Sequence, residues 1–252
     1  MLLYDSYVIC TSPRSGSTLL CKLLSQTNLA GRPSSYFHAP SVPEWLNYFG
    51  LNAADFEDRA QALRAVFKAA RTQGTAGTGI FGLRLQGQTL DFFLAQLRLL
   101  HPAANSDTAR ISSEFGRTLF IHLSRKDKLE QAVSFVKAAQ TGLWHRNADG
   151  TEMERTAPPA RPEFDSVEIA HRKKEFEGMD HRWRDWFLTQ DIDPLQVDYD
   201  HLAASPAQVV ADILAQLGLD PNVPFDIEPP TSRLADATNR EWVRRFLSES
   251  RA

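Results

Sequence analysis

The run Tyr7-Val8-Ile9-Cys10-Thr11 passes straight into Ser12-Pro13-Arg14-Ser15-Gly16-Ser17-Thr18, and a helical pattern follows from Thr18 to Gln26. No other feature constrains the fold of this chain as much. A strand that turns through a Ser/Gly loop directly into a helix aims successive backbone N–H groups, and the positive end of the helix, at one small volume. Hydroxyls of Ser15, Ser17 and Thr18 and the charge of Arg14 add to that field. The loop therefore reads as an anion site, built for a phosphate. A nucleotide-hydrolysing P-loop carries G-x-x-x-x-G-K-[ST]. Here Ser17 rather than Lys follows Gly16, and no early Gly opens the loop. The usual equipment for ATP or GTP with magnesium is incomplete.

Further strand-like runs occur at Gly79–Leu85, Thr118–Ser124 and Pro194–Tyr199. Helical patterns fall at Phe56–Arg71, Thr89–Leu100, Lys128–Gly142, Val167–Thr189 and Pro206–Leu217. Strands alternating with helices of this length predict an α/β protein, with a P-loop-like central parallel sheet and helices on both faces. Ligands of such sheets gather beyond the C-terminal strand edges, where the loop after Thr11 lies. The Pro-, Gly- and charge-rich segment 147–164 reads as a lid or excursion loop, and residues 1–252 read as one domain. A chain of 252 residues can bury a proper core. Its net charge of −3 argues against a general nucleic-acid surface. No apolar stretch approaches a membrane span, and Met1-Leu2-Leu3-Tyr4-Asp5 lacks the basic start of a secretion signal, so a cytoplasmic protein is expected. Cys10 and Cys21 read as buried thiols with no metal-ligand spacing around them, and no metal is expected.

Several polar residues could carry chemistry. Asp127 can cap the helix that follows Thr118–Ser124, with Glu130 completing a capping box. Arg125 sits at that strand end and Ser134 on that helix. Arg125 reads either as a surface ion-pair residue or as a phosphate fork, and Ser134 as a solvated hydroxyl or its partner. Arg84, in Phe81-Gly82-Leu83-Arg84-Leu85 near the end of a strand, reads equally as a ligand group or as half of a salt bridge. Trp183, Trp186 and Phe187 are spaced as helix core, the alternative being an aromatic platform. Trp144 and His145 follow the helix of Ser134 and point towards the same cleft.

The loop also resembles the 5′-phosphosulfate loop of sulfotransferases that use 3′-phosphoadenosine 5′-phosphosulfate (PAPS). It is most similar to the bacterial family that includes the mycobacterial-type trehalose 2-sulfotransferases. The likeness runs through Ser12–Leu20, Ala30-Gly31-Arg32-Pro33, Tyr36-Phe37, Phe81–Leu85, Ile121–Arg125, Gln131–Phe135, Val197-Asp198-Tyr199 and Glu241-Trp242-Val243. It implies that Ser12–Thr18 hold the phosphosulfate, with Arg14 stabilising the oxygen that leaves sulfur. It implies that Arg125 and Ser134, nine positions apart, hold the 3′-phosphate, and that Arg84 is a basic donor contact. It further implies a closing loop over the nucleotide near Arg233. Trp144 and His145, from their place after the helix of Ser134, are the better acceptor candidates, with Tyr36, Phe37 and His38 also expected at the acceptor. The acceptor would be a hydroxyl of a carbohydrate or glycoconjugate, trehalose or a glycolipid head group included, and relatives suggest a homodimer.

The trehalose enzymes carry a Glu as general base where this chain has Ser35. His38 and Glu44 are the replacements in that loop; a base near His145, or none, stays open. Two other functions stand beside the sulfotransferase reading: a small-molecule kinase using ATP and magnesium, and a nucleotide-binding relative without catalysis.

Overall fold

A computed structural model describes residues 2–147, 149–223 and 236–249. Four parallel strands form the central sheet in the order β2-β1-β3-β6: β1 Ser6–Thr11, β2 Phe81–Gln86, β3 Thr118–Ser124 and β6 Leu195–Asp198. β1 pairs with β2 on one side (Ile9 opposite Arg84) and with β3 on the other (Ile9 opposite Ile121). All six of its residues are buried. A strand covered on both faces needs apolar side chains at successive positions, and β1 supplies them. Tyr7 and Ile9 enter one hydrophobic cluster and Val8 and Cys10 the other, following the two-residue pleat.

One face carries α1 (Ser17–Gln26) and α9 (Pro206–Leu217), whose Leu20, Leu23, Leu24, Val210, Ile213 and Leu214 meet Ile121 and Leu123 of β3. The other face carries α2 (Val42–Tyr48), α3 (Arg59–Thr75), α4 (Leu90–Leu100), α5 (Asp107–Phe115) and the C-terminal part of α7 (Ser166–Thr189). That side is aromatic: Phe37 lies 4.7 Å from Phe67 and 5.0 Å from Phe93, and Phe81 lies 4.7 Å from Phe115. A third cluster joins α6 (Lys128–Thr141) and α7 to α10 (Ala237–Glu249), with Trp242 buried in it. Between α6 and α7 stands a two-stranded antiparallel hairpin, β4 (Leu143–Arg146) and β5 (Glu152–Arg155). α8 (Tyr199–Ala204) follows β6 directly.

The strands and long helices expected from periodicity are present. The differences have local causes. Asp58 accepts from Gln61 N–H and starts α3 at Arg59 rather than Phe56. Asp198 accepts from Asp200 N–H and turns Tyr199 into helix instead of strand. Gly142, at φ +68°, ends α6; a Cβ there would meet the Ala157 backbone at 2.6 Å. The expected excursion segment 147–164 contains only β5, the second strand of the hairpin, whose first strand, β4, lies ahead of it. Short amphipathic pieces such as α2, α5 and α8 carry too few turns for periodicity to show.

Trp183 and Phe187 are core, and Trp186 is covered at 9 % exposure, so the platform reading of these rings is corrected. Trp183 Nε1–H donates to the Thr11 carbonyl at 2.9 Å, tying α7 to the end of β1. Trp183→Ala removes a fully buried ring and should cost about 3–5 kcal/mol in urea unfolding. Trp183→Phe removes the indole N–H bond to the Thr11 carbonyl and should cost about 0.5–1.5 kcal/mol. An alanine variant as stable as the parent would contradict the anchoring role.

Candidate active site

The loop after β1 holds its shape by turning its own hydroxyls inward. Ser15 Oγ lies 2.6 Å from Thr11 Oγ1 and 2.8 Å from the Ser12 carbonyl, while Thr11 Oγ1 lies 2.8 Å from the Leu123 carbonyl of β3. Gln131, buried on α6, donates through Nε2 to Ser12 Oγ at 2.9 Å and to the Pro13 carbonyl at 2.6 Å. The Ser12 and Ser15 side chains are fully buried. Their hydroxyls are therefore scaffold rather than ligand groups, correcting the expectation that they contact a phosphate directly. The amides behave differently. The N–H groups of Ser15, Gly16, Ser17 and Thr18 find no acceptor among the described residues, as expected of a helix start left open for an anion. Gly16 makes the turn at φ +85°, and a Cβ there would sit 2.6 Å from the Tyr199 ring.

Arg14 adopts φ +62°, a left-handed conformation that costs a non-glycine residue about 1–3 kcal/mol. The conformation sends its side chain across the loop. Nε and Nη2 donate to Ser134 Oγ at 3.1 and 3.0 Å, and Nη1 donates to the Trp144 carbonyl at 2.6 Å. Burial, and then the charge of Arg125, lower its pKa to about 10, so it stays cationic at neutral pH. No carboxylate among the described residues lies within ion-pair distance of it. Arg84 reaches the loop from β2: Nε donates to Ser35 Oγ at 2.8 Å and Nη1 to Thr18 Oγ1 at 2.9 Å. The salt-bridge reading of Arg84 is thereby corrected, because its partners are hydroxyls. Arg125, 6 % exposed, lies over the Tyr199 ring at 4.6 Å and pairs with Glu130 Oε2 at 2.5 Å. Its Nε is buried without an acceptor among the described residues. Asp127 does cap α6 by accepting from Glu130 N–H. The Glu130 side chain goes to Arg125 instead of closing a capping box.

His145, brought in by β4, places Nε2 3.2 Å from Thr18 Oγ1 and 3.5 Å from Glu154 Oε2. Burial, and then Arg14, Arg84 and Lys22, hold its pKa down at about 4. His145 and Arg84 thus converge on one hydroxyl at the first turn of α1. His38 and Glu44 face each other at 4.0 Å, with side chains 40 % and 62 % exposed, and neither bonds to the loop. Phe37 is 1 % exposed among Trp45, Phe67 and Phe93, so its expected acceptor contact is corrected. Tyr36 is also core, its hydroxyl donating to the Arg32 carbonyl at 2.6 Å, although it borders a cavity of about 690 Å³ with Thr18, Lys22, Arg32, Tyr48 and Arg84. Trp144 stands edge-on to Phe135 and donates from Nε1 to Thr156. A smaller cavity of about 370 Å³ lies on the other side, lined by Ser134, Lys137, Arg146 and Arg155. Arg233 lies outside the described residues. Among the described residues no group of three or more His, Cys, Asp or Glu is placed to hold a metal, and no helix is long and apolar enough to cross a membrane.

A loop of free amides ringed by three guanidinium groups directs attention to enzymes that bind phosphosulfate. The family described as Stf0 sulphotransferase matches residues 6–249. The chain belongs to that family. As a member it is a sulfotransferase, which leaves the kinase reading without support. Two relatives, the trehalose 2-sulfotransferases of Mycolicibacterium smegmatis and Mycobacterium tuberculosis, are each 28 % identical to it over 97 % of this chain and 95 % of theirs. Among solved structures, a sulfotransferase from Alicyclobacillus acidocaldarius aligns with a TM-score of 0.45 at 15 % identity, covering 96 % of this chain and 91 % of that one. The sulfotransferase domain of the Synechococcus PCC 7002 olefin synthase aligns at 0.43 and 15 %, covering 96 % and 94 %.

Sequence reasoning missed Gln131 and Glu130 as supports of the site. It also missed the Trp144 carbonyl, for which no side-chain signal exists. The unfolded chain protonates His145 near the ordinary value of 6.5 and the folded chain only near 4. Acidification through that interval therefore favours unfolding. The melting temperature should fall from pH 6.5 to 4, and His145→Gln should flatten that part of the curve. An unchanged curve would show that His145 is not held neutral by the fold.

Proposed function

We propose that this sulfotransferase moves the sulfuryl group of PAPS to a hydroxyl of a carbohydrate or glycoconjugate. The observation that carries the donor assignment is Arg14: a cation beside four free amides, held by a hydroxyl and a carbonyl and by no carboxylate. An anion is the partner such a group lacks. The named activity of the two mycobacterial relatives supports the sugar acceptor.

In this reading the acceptor oxygen forms a bond to sulfur while the sulfur–oxygen bond to the 5′-phosphate breaks, its electron pair staying on the phosphate. Arg14 and the amides of Ser15–Thr18 stabilise the charge that grows on that oxygen. Arg125, with its unpartnered Nε, and Ser134 serve the 3′-phosphate. Ser134 Oγ accepts from Arg14 and keeps its own proton to give. The acceptor proton goes to His145, which faces Thr18 and Arg84 and is neutral at pH 7; His38 and Glu44 turn towards one another instead. The pKa of His145 is low partly because of Arg14 and Arg84, so an anionic donor that offsets those charges also makes it a better base.

A thermal-shift titration tests the donor: adenosine 3′,5′-bisphosphate should raise the melting temperature, while AMP and ATP with magnesium should do so weakly. Preference for ATP with magnesium would overturn the assignment. Arg14→Met should lower kcat/KM by about 10²–10³ in PAPS turnover. His145→Gln should lower kcat by about 10²–10⁴ while the bisphosphate shift persists. Equal losses in His38→Gln and His145→Gln would remove His145 from the role of base.

A further inference from the structure

The α1 helix buries Leu20, Leu23 and Leu24, yet its opposite face is polar. Thr18, Lys22 and Ser25 follow one another at spacings of four and three, and that face forms one wall of the 690 Å³ cavity. Arg32 and Arg84 stand on the other walls. Three cations therefore line a cavity whose border includes no Asp or Glu. Arg84 is answered only by the hydroxyls of Ser17, Thr18 and Ser35. Lys22 Nζ has the thioether of Met153 as its partner, and the exposed Arg32 side chain forms no ion pair among the described residues. Glu154 on the hairpin lies 3.5 Å from His145 and outside the border of the cavity. The positive field is felt across the cavity: Arg84 and Lys22 both help to hold His145 unprotonated.

Cations left without counter-charges in a cavity of this size describe a ligand that brings its own negative charge. The geometry points to an anionic acceptor, a sugar bearing a phosphate or carboxylate, whose charge sits between Lys22 and Arg32 while its reacting hydroxyl meets Thr18, Arg84 and His145. This rests on the carbohydrate-acceptor reading above and deepens it. Lys22 lies one helical turn beyond Thr18, so the charge sits about 5 Å or more along α1 from the hydroxyl that receives sulfur. That separation suits a charged group on a carbon remote from the sulfated position.

The experiment measures PAPS-dependent sulfuryl transfer to matched acceptors: trehalose and trehalose 6-phosphate, glucose and glucose 6-phosphate, glucose and glucuronate. The anionic member of at least one pair should show a kcat/KM about tenfold or more above its neutral partner. The K22Q/R32Q double variant should bring that pair together, while the melting-temperature shift with adenosine 3′,5′-bisphosphate stays as in the parent. Neutral sugars sulfated as well as their anionic partners in every pair, or a preference that survives in the double variant, overturn the anionic acceptor and leave the carbohydrate reading intact. Transfer to no sugar of either kind, with the bisphosphate shift present, overturns the carbohydrate reading and the anionic acceptor with it.

Discussion

Three guanidinium groups meet the same turn of chain at the C-terminal end of β1, and two of them, Arg14 and Arg84, have no carboxylate within reach among the described residues. Much of the surrounding structure serves to hold those charges where they would otherwise repel. Thr11 and Ser15 lock the loop to β3, Gln131 clamps it from α6, and Trp183 secures the last carbonyl of the strand. Neutral partners hold the cations in place: Ser134 and the Trp144 carbonyl for Arg14, Ser35 and Thr18 for Arg84. Hydrogen bonds donated to neutral oxygens orient a guanidinium without cancelling its charge. The protein thereby keeps a positive field that a negatively charged substrate can complete.

The parallel sheet determines why these groups converge. β1 is flanked by β2 and β3, so the residues that end all three strands emerge on one edge. Arg84 lies beside Ile9 in register, Arg125 directly follows β3, and α6 returns Ser134 and Gln131 to the loop. The hairpin adds His145 from a part of the chain far from Thr18 in sequence. Arg125 and Ser134 lie on the α6 side of the loop and the larger cavity opens on the α1 side, with Thr18 bordering it.

The fold was readable from the residues because β1, β3 and the long helices carry strong periodic patterns and large buried side chains. The tight turn after β1 was readable because it requires a residue such as Gly16 at positive φ. Roles decided by which way a hydroxyl turns were not. Ser12 and Ser15 look the same as Ser17 in a string of letters, but two of them face inward. Phe37 and His38 are adjacent, yet one is core and the other solvent-facing. The importance of His145 depends on a register between two short strands with no alternating apolar pattern, and the anchor of Arg14 is a main-chain oxygen. Contacts of that kind are properties of the folded chain.

The ribbon of β4 and β5 holds a consequence for how the molecule breathes. It consists of two four-residue strands of which only Leu143 is buried, and such a short pair has little core beneath it. It nonetheless supplies both the oxygen that seats Arg14 and the imidazole that meets Thr18. Local opening of this ribbon would release both at once while the sheet and its two clusters stayed packed, at a free-energy cost well below that of global unfolding. On the proposed reading of the site, catalytic competence can therefore come and go within a protein that remains folded.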